Sequence, residues 1–192
     1  MISLRELQEK DAKLMLEWMH DVDIQKGFKK NMLDATLEDA KAFCKRSKIP
    51  DELSDGDNLH FAIVNEEDEY LGTISLKSIS LENRSAEYAI TTRKTVQGQG
   101  IAKEATGILL EKAFHEYGLH RVYLSVFADN LAAIHLYEQC GFVYEGVFRK
   151  HLKRDNQYVD WRWYGMLEAE YNKQLFERDL SYCYDKKGIR DE

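Results

Sequence analysis

The residues of this chain best suited to chemistry start with the run Gln97-Gly98-Gln99-Gly100-Ile101-Ala102, between a strand-like segment and a long amphipathic helix. Donors in the first turn of a helix have no intrahelical acceptors. Two glycines there leave the backbone N–H groups unencumbered, and with the positive end of the helix dipole behind them they form a seat for phosphate. Two phosphate-binding patterns fail. A P-loop needs Gly-Lys-Ser/Thr at the helix start, and here Gly100 is followed by Ile101 and Ala102. A dinucleotide fingerprint from Gly98 and Gly100 needs a third small residue at position 103, where Lys103 stands. The plain alternative is a tight turn with no ligand.

Other chemistries find little support. Cys44, Cys140 and Cys183 are an odd number at wide spacing, which reads as buried or incidental thiols rather than a disulfide framework or zinc cluster. The histidines form no HxxxH or HExxH arrangement, so no metal site is expected. A net charge of -7 argues against a nucleic-acid partner. It suits a cationic, amine-bearing molecule, and equally an ordinary solubility charge.

The elements that must position the loop follow from periodicity and punctuation. At 192 residues and 44% hydrophobic content, one well-buried domain is expected. No run approaches the ~20 apolar residues of a membrane span, and the charged start Met1-Ile2-Ser3-Leu4-Arg5-Glu6 offers no signal core. The expectation is a cytoplasmic protein with no membrane association. Ile2–Leu7 alternates as a first strand, and Asp11 caps a short helix carrying Leu14, Met15, Trp18 and Met19. A second helix starts near Thr36, with Asp39 completing a capping box. After a loop from Pro50 to Asn58, strands are expected at Leu59–Val64, Tyr70–Leu76 and Ala86–Thr92. The helix behind the glycine loop carries Ile101, Ala105, Ile108, Leu109, Ala113 and Phe114 on one face and ends at Gly118. Arg121–Phe127 is a buried strand, and Asn130 caps a short helix to Gln139 that stops at Gly141. Phe142–Phe148 and Tyr158–Met166 form a closing pair around Asp155-Asn156, with Val159, Trp161 and Trp163 read as core aromatics. The tail from Leu167 is helical, then charged and loose beyond Lys186.

Gln97, two variable residues, Gly100, one variable residue and Ala102 match a pattern that resembles the coenzyme A pyrophosphate loop of GNAT N-acetyltransferases. A second block, Asn130 through Tyr137 to Gly141-Phe142 and Gly146, resembles the same family, and Asn156-Gln157-Tyr158 is most similar to its RimL-like branch of ribosomal-protein and spermidine acetyltransferases. The proline frequent before this loop is missing from Arg93-Lys94-Thr95. The resemblance implies an α+β fold: a mixed, mostly antiparallel central sheet of about seven strands flanked by about four helices. It assigns residues 1–167 to the acetyltransferase domain and 168–192 to a C-terminal helical extension and tail. It implies acetyl-CoA as co-substrate, no metal, and a small-molecule amine or peptide N-terminus as acceptor; a homodimer is compatible. A non-catalytic acyl-CoA-binding module, or use of another acyl-CoA, is the alternative.

By the same resemblance, the amides of Gln97, Gly98, Gln99, Gly100, Ile101, Ala102 and Lys103 hold the pyrophosphate. The edge of Ile90, Thr91 and Thr92 pairs with the pantetheine amides as an added strand would. Asn130, with Ala133 on the same helix, caps first and contacts the cofactor second. Tyr137 is the candidate general acid, because a phenol of pKa ~10 can hand a proton to a thiolate whose conjugate acid lies near ~8.5. Neutralising an alkyl ammonium at pH 7 costs about 4.6 kcal/mol, so a proton acceptor is useful, and Glu87 is the candidate. Its plain alternative is a strand residue paired with Arg84 or Lys77. His60, His135 and Tyr144 are lesser candidates. The acceptor groove is expected to draw on Trp18, Asp21, Asp23 and Phe28, and across from them His151, Asp155 and Tyr158.

Overall fold

A computed structural model describes residues 1–175 of the chain. Seven strands form one sheet: β1 (Ser3–Glu6), β2 (Leu59–Val64), β3 (Tyr70–Ser80), β4 (Ser85–Thr92), β5 (Arg121–Phe127), β6 (Val143–Arg154) and β7 (Gln157–Leu167). Their order is β1-β2-β3-β4-β5-β7-β6, antiparallel throughout except for the parallel pair β4–β5. The helices are α1 (Ala12–Met19), α2 (Val22–Gln25), α3 (Leu37–Arg46), α4 (Ile101–Glu111), α5 (Leu131–Gln139) and a last helix, α6, over 168–175.

Local signals account for most of these boundaries. The Thr36 hydroxyl accepts the Asp39 N–H at 3.2 Å, and the Asp39 carboxylate accepts the Thr36 N–H at 2.9 Å, the reciprocal box that starts α3. Asn130 Oδ1 accepts the Ala133 N–H at 3.2 Å and so caps α5. Beyond Glu111, α4 runs on through a π-helical turn at Lys112–Glu116, and Gly118 follows at φ 61°.

Two expectations need correction. The count of about four helices omitted α2, a single turn held by Asp21, whose carboxylate accepts the N–H groups of Asp23 and Ile24 at 2.9 and 3.0 Å. Four residues are too few to show a helical period. The closing strands are also longer than read. They meet at Asp155-Asn156, where φ values of 48° and 62° make a tight two-residue hairpin turn and let pairing run to its base.

Apolar residues gather on both faces of the sheet. Under α4 and α5 lie Tyr88, Leu109, Phe114, Val122, Leu124 and Tyr164, and α6 adds Tyr171. Under α1 and α3 lie Met15, Trp18, Ala40, Cys44, Ala62 and Tyr70, with no contribution from β4 to β7 among the described residues. Trp161 is buried, in keeping with its reading as a core aromatic, and Trp163 is half-buried, although neither belongs to these two clusters. The loose segment expected beyond Lys186, and Cys183, lie outside the described residues.

The position of the site is set where β4 and β5 meet. They pair only at Ser85↔Arg121, Ala86↔Val122 and Glu87↔Tyr123, after which they part. β3 continues along the other edge of β4 as far as Thr92, and β7 along the other edge of β5 as far as Phe127. The two inner edges therefore open as a fork, without a strand partner among the described residues.

Candidate active site

At the mouth of the fork the glycine loop takes the shape its sequence demands. Gly98 and Gly100 sit at φ 76° and 80°, a region in which a side chain is strained. Gly100 is the N-cap of α4 and supplies no side-chain cap. Gln97 N–H bonds to Lys94 O at 3.3 Å, but the N–H groups of residues 98–103 have no acceptor among the described residues. The loop is braced from below. Arg93, only 9% exposed, donates to Glu17 of α1 at 2.8 Å, to Glu69, and to the Tyr70 carbonyl at 3.1 Å. These bonds fix the approach that a proline ring would otherwise stiffen. Lys94 pairs with Asp21 and Asp23 at 3.1 and 3.2 Å. A groove of ≈ 660 Å³ runs from Gly100 and Lys103 past Gly107 to Gln139 and Cys140.

The two candidate catalytic side chains lie on opposite faces of the fork, because strand alternation turns Glu87 away from Tyr88, on which Tyr137 of α5 packs. Tyr88 lies on the α4–α5 side, with its hydroxyl 2.7 Å from Thr106 Oγ1. Tyr137 packs edge-on against Tyr88 and Phe142, with centroids 5.8 and 6.1 Å away, and its hydroxyl has no hydrogen-bond partner among the described residues. Burial holds its pKa well above the ordinary phenol value. Glu87, at the last paired step, faces the α1–α3 side and pairs with Lys77 at 3.2 Å, not with Arg84, which reaches Glu168. Ile90, Thr91 and Thr92 border the opening on β4. Asn130 and Ala133 stand at the start of α5, their cap bond already made.

The acetyltransferase (GNAT) domain profile matches residues 2–143. The chain belongs to the GNAT acetyltransferase family. It is an acetyl-CoA-dependent N-acetyltransferase. It is 31% identical over 119 residues to a spermidine N(1)-acetyltransferase of Vibrio cholerae, covering 62% of this chain and 69% of that one. An uncharacterised N-acetyltransferase of Bacillus subtilis, YnaD, is 29% identical over 171 residues, 88% of this chain and 95% of the relative. Among solved structures, the Vibrio cholerae spermidine N-acetyltransferase in complex with CoA and spermine superposes with a TM-score of 0.77 at 25% identity, covering 88% of this chain and 97% of that one.

In this GNAT enzyme the side of the fork opposite Tyr137 carries a wall of aromatic rings that single-residue reading missed. Phe127, Trp161 and Phe148 are in register across β5, β7 and β6, and one step along are Ser125 and Trp163. Trp161 stacks on His151 with centroids 5.4 Å apart, and Trp163 lies 6.0 Å from Tyr123. Ser125 Oγ and Trp163 Nε1 are buried without a hydrogen-bond partner among the described residues, an unusual state for polar atoms. Nothing local in the sequence announces them, because only the β5–β7 register brings them together.

The expected acidic groove is corrected in part. Trp18 is buried, donating to the Tyr70 hydroxyl at 2.9 Å and stacked on Phe28 at 5.5 Å, so it is core. Asp21 is occupied as a cap and by Lys94, and Asp23 by Lys26 and Lys94, so neither is a free acid. Asp155 is a turn residue and Tyr158 is exposed, whereas His151 does join the wall. His60 stands two steps from Glu87 on the same face, its Nδ1 2.8 Å from Ser75 Oγ and its ring against Phe43. His135 is exposed beside Gln139 on α5, and Tyr144 is exposed on β6. Cys44 is buried, its thiol pushed up to about 11 by desolvation, and burial likewise raises that of Cys140. No cluster of His, Cys, Asp and Glu able to hold a metal occurs among the described residues, and none of their helices is long and apolar enough to cross a membrane.

Proposed function

We propose that acetyl-CoA lies with its diphosphate on the amides of residues 98–103 and its pantetheine along the free edge of Ile90, Thr91 and Thr92. A primary amine on a small molecule then enters from the aromatic face and attacks the thioester directly, in a ternary complex. The observation that carries this reading is the fork, which opens onto both faces of the sheet with the unpaired amides at its mouth. An extended ligand with its own amides completes such an edge as a strand would.

The division of faces supports separate proton routes. Glu87 is on the side from which the amine arrives and accepts its proton, directly or through water. Tyr137 is on the other side and gives its proton to the departing thiolate. Burial keeps the phenol protonated, and the same desolvation raises the proton affinity of a thiolate beside it, so the transfer is not made harder. Ser125 Oγ and Trp163 Nε1 are donors for an oxygen of the bound substrates. Asn130 and Ala133 flank the cofactor groove at the start of α5.

Spermidine is the first acceptor to test, because relatives that match this chain are spermidine acetyltransferases. Release of CoA thiol is to be followed with spermidine, an amino sugar, an aminoglycoside and Ala- or Ser-starting peptides. Saturable release with the small amines is expected. Turnover of the peptides alone would overturn the small-molecule assignment.

A further inference from the structure

The aromatic wall already holds a cation of the chain's own. Lys29, in the segment between α2 and α3, places its Nζ 3.6 Å from the centroid of the Trp161 ring. Glu87 is near enough to favour that ammonium and Lys77 to oppose it, while burial lowers its pKa. The backbone on either side is tied down independently. Phe28 stacks on Trp18, and Met32 N–H donates to Gln25 Oε1 at 3.0 Å. The Lys29 side chain itself makes no hydrogen bond or ion pair among the described residues, its contact being the one with Trp161. It can therefore swing away without unfolding the segment.

Resting on the acceptor route proposed above, we infer that Lys29 is a tethered competitor for the acceptor's place: its ammonium occupies the cationic seat on Trp161 and must be displaced when a charged amine binds. The contact then acts as a specificity filter. Only an acceptor presenting its own cation to Trp161 replaces what is lost, so neutral or singly weakly basic amines are disfavoured. A cation on the face of a partly desolvated indole binds strongly enough that its removal should change apparent affinity about 2- to 30-fold.

The test compares the full-length protein with Lys29→Met, which keeps the length and removes the charge, and Lys29→Arg, which keeps the charge. Spermidine is titrated into each, first without acetyl-CoA by tryptophan fluorescence and then in the thiol-release assay. Lys29→Met should bind spermidine about 2- to 30-fold more tightly and lower its KM to match, with kcat and acetyl-CoA affinity unchanged. Lys29→Arg should stay at or above the wild-type KM. Unchanged or weaker spermidine binding in Lys29→Met overturns the inference, as does failure of every variant to bind spermidine. Binding that tightens in Lys29→Met while no amine supports thiol release would preserve the competitor and refute the acceptor route instead.

Discussion

Tyr137 is buried against two other rings, and its hydroxyl satisfies no group in the described protein, so its O–H contributes little to folding. Tyr137→Phe should leave the melting temperature and acetyl-CoA affinity nearly unchanged while kcat falls about 10²-fold or more. Parallel losses in affinity and turnover would mean that the ring only shapes the cofactor site. His60 makes a different prediction. Burial, aided by Lys77, lowers its pKa from 6.5 to about 4. A ring kept neutral in the fold is fully stabilising above about 6.5, and that stabilisation is lost as pH falls toward 4, by up to roughly 3 kcal/mol. Thermal melts between pH 7 and 4 should therefore drop less steeply for His60→Gln than for the parent; equal slopes would refute it. Tyr137 and the loop glycines could be nominated as site residues from the sequence because each belongs to a short contiguous pattern. Arg93 and Lys29 were not, because their partners lie far along the chain and no local pattern encodes a guanidinium between α1 and β3 or an ammonium on Trp161.

Among the elements, the glycine loop and α4 are the pair whose geometry most constrains function. A side chain at Gly100 meets no atom of the described residues within 4 Å, so the cost of Gly100→Ala is that of the left-handed backbone, about 1 kcal/mol. A loss of ~2–4 °C in melting temperature is expected for a domain of this size. The added methyl and the shifted amides should weaken acetyl-CoA by about tenfold in calorimetry, an effect out of proportion to the loss in stability. Unaltered binding would remove the loop as the diphosphate seat. The helices were readable where caps announced them, at Thr36 and Asn130. α2 was not, being one turn long, and the extent of β6 and β7 depended on a turn that only backbone φ values reveal. The fork was also hidden. Ser85–Thr92 and Arg121–Phe127 each look like complete strands, and nothing within either tells where their mutual pairing stops.

For the whole molecule, the fork divides one sheet into a four-stranded and a three-stranded part joined through three residue pairs. A ligand that pairs with the inner edge of β4 and rests on α4 bridges that seam. Saturating acetyl-CoA at about 100 times its Kd should add about 2.7 kcal/mol of stability. Hydrogen exchange should slow most at residues 88–92 and 98–103 and least in β1 and β2; uniform slowing would argue against a bridging ligand. The expectation of one domain came from length and composition, and the mixed sheet was implied by the resemblance to the acetyltransferase family. The placement of β7 did not, because it lies between β5 and β6 and not at the outer edge.

That placement has a consequence for biosynthesis. As the chain leaves the ribosome, β5 and β6 both emerge before the strand that separates them, so each waits with an unsatisfied edge. Trp161 and Trp163 arrive on that late strand. On the proposed acceptor route, a nascent protein thus acquires its loop and phenol before the indoles meant for an incoming amine, and competence waits until β7 threads into the gap.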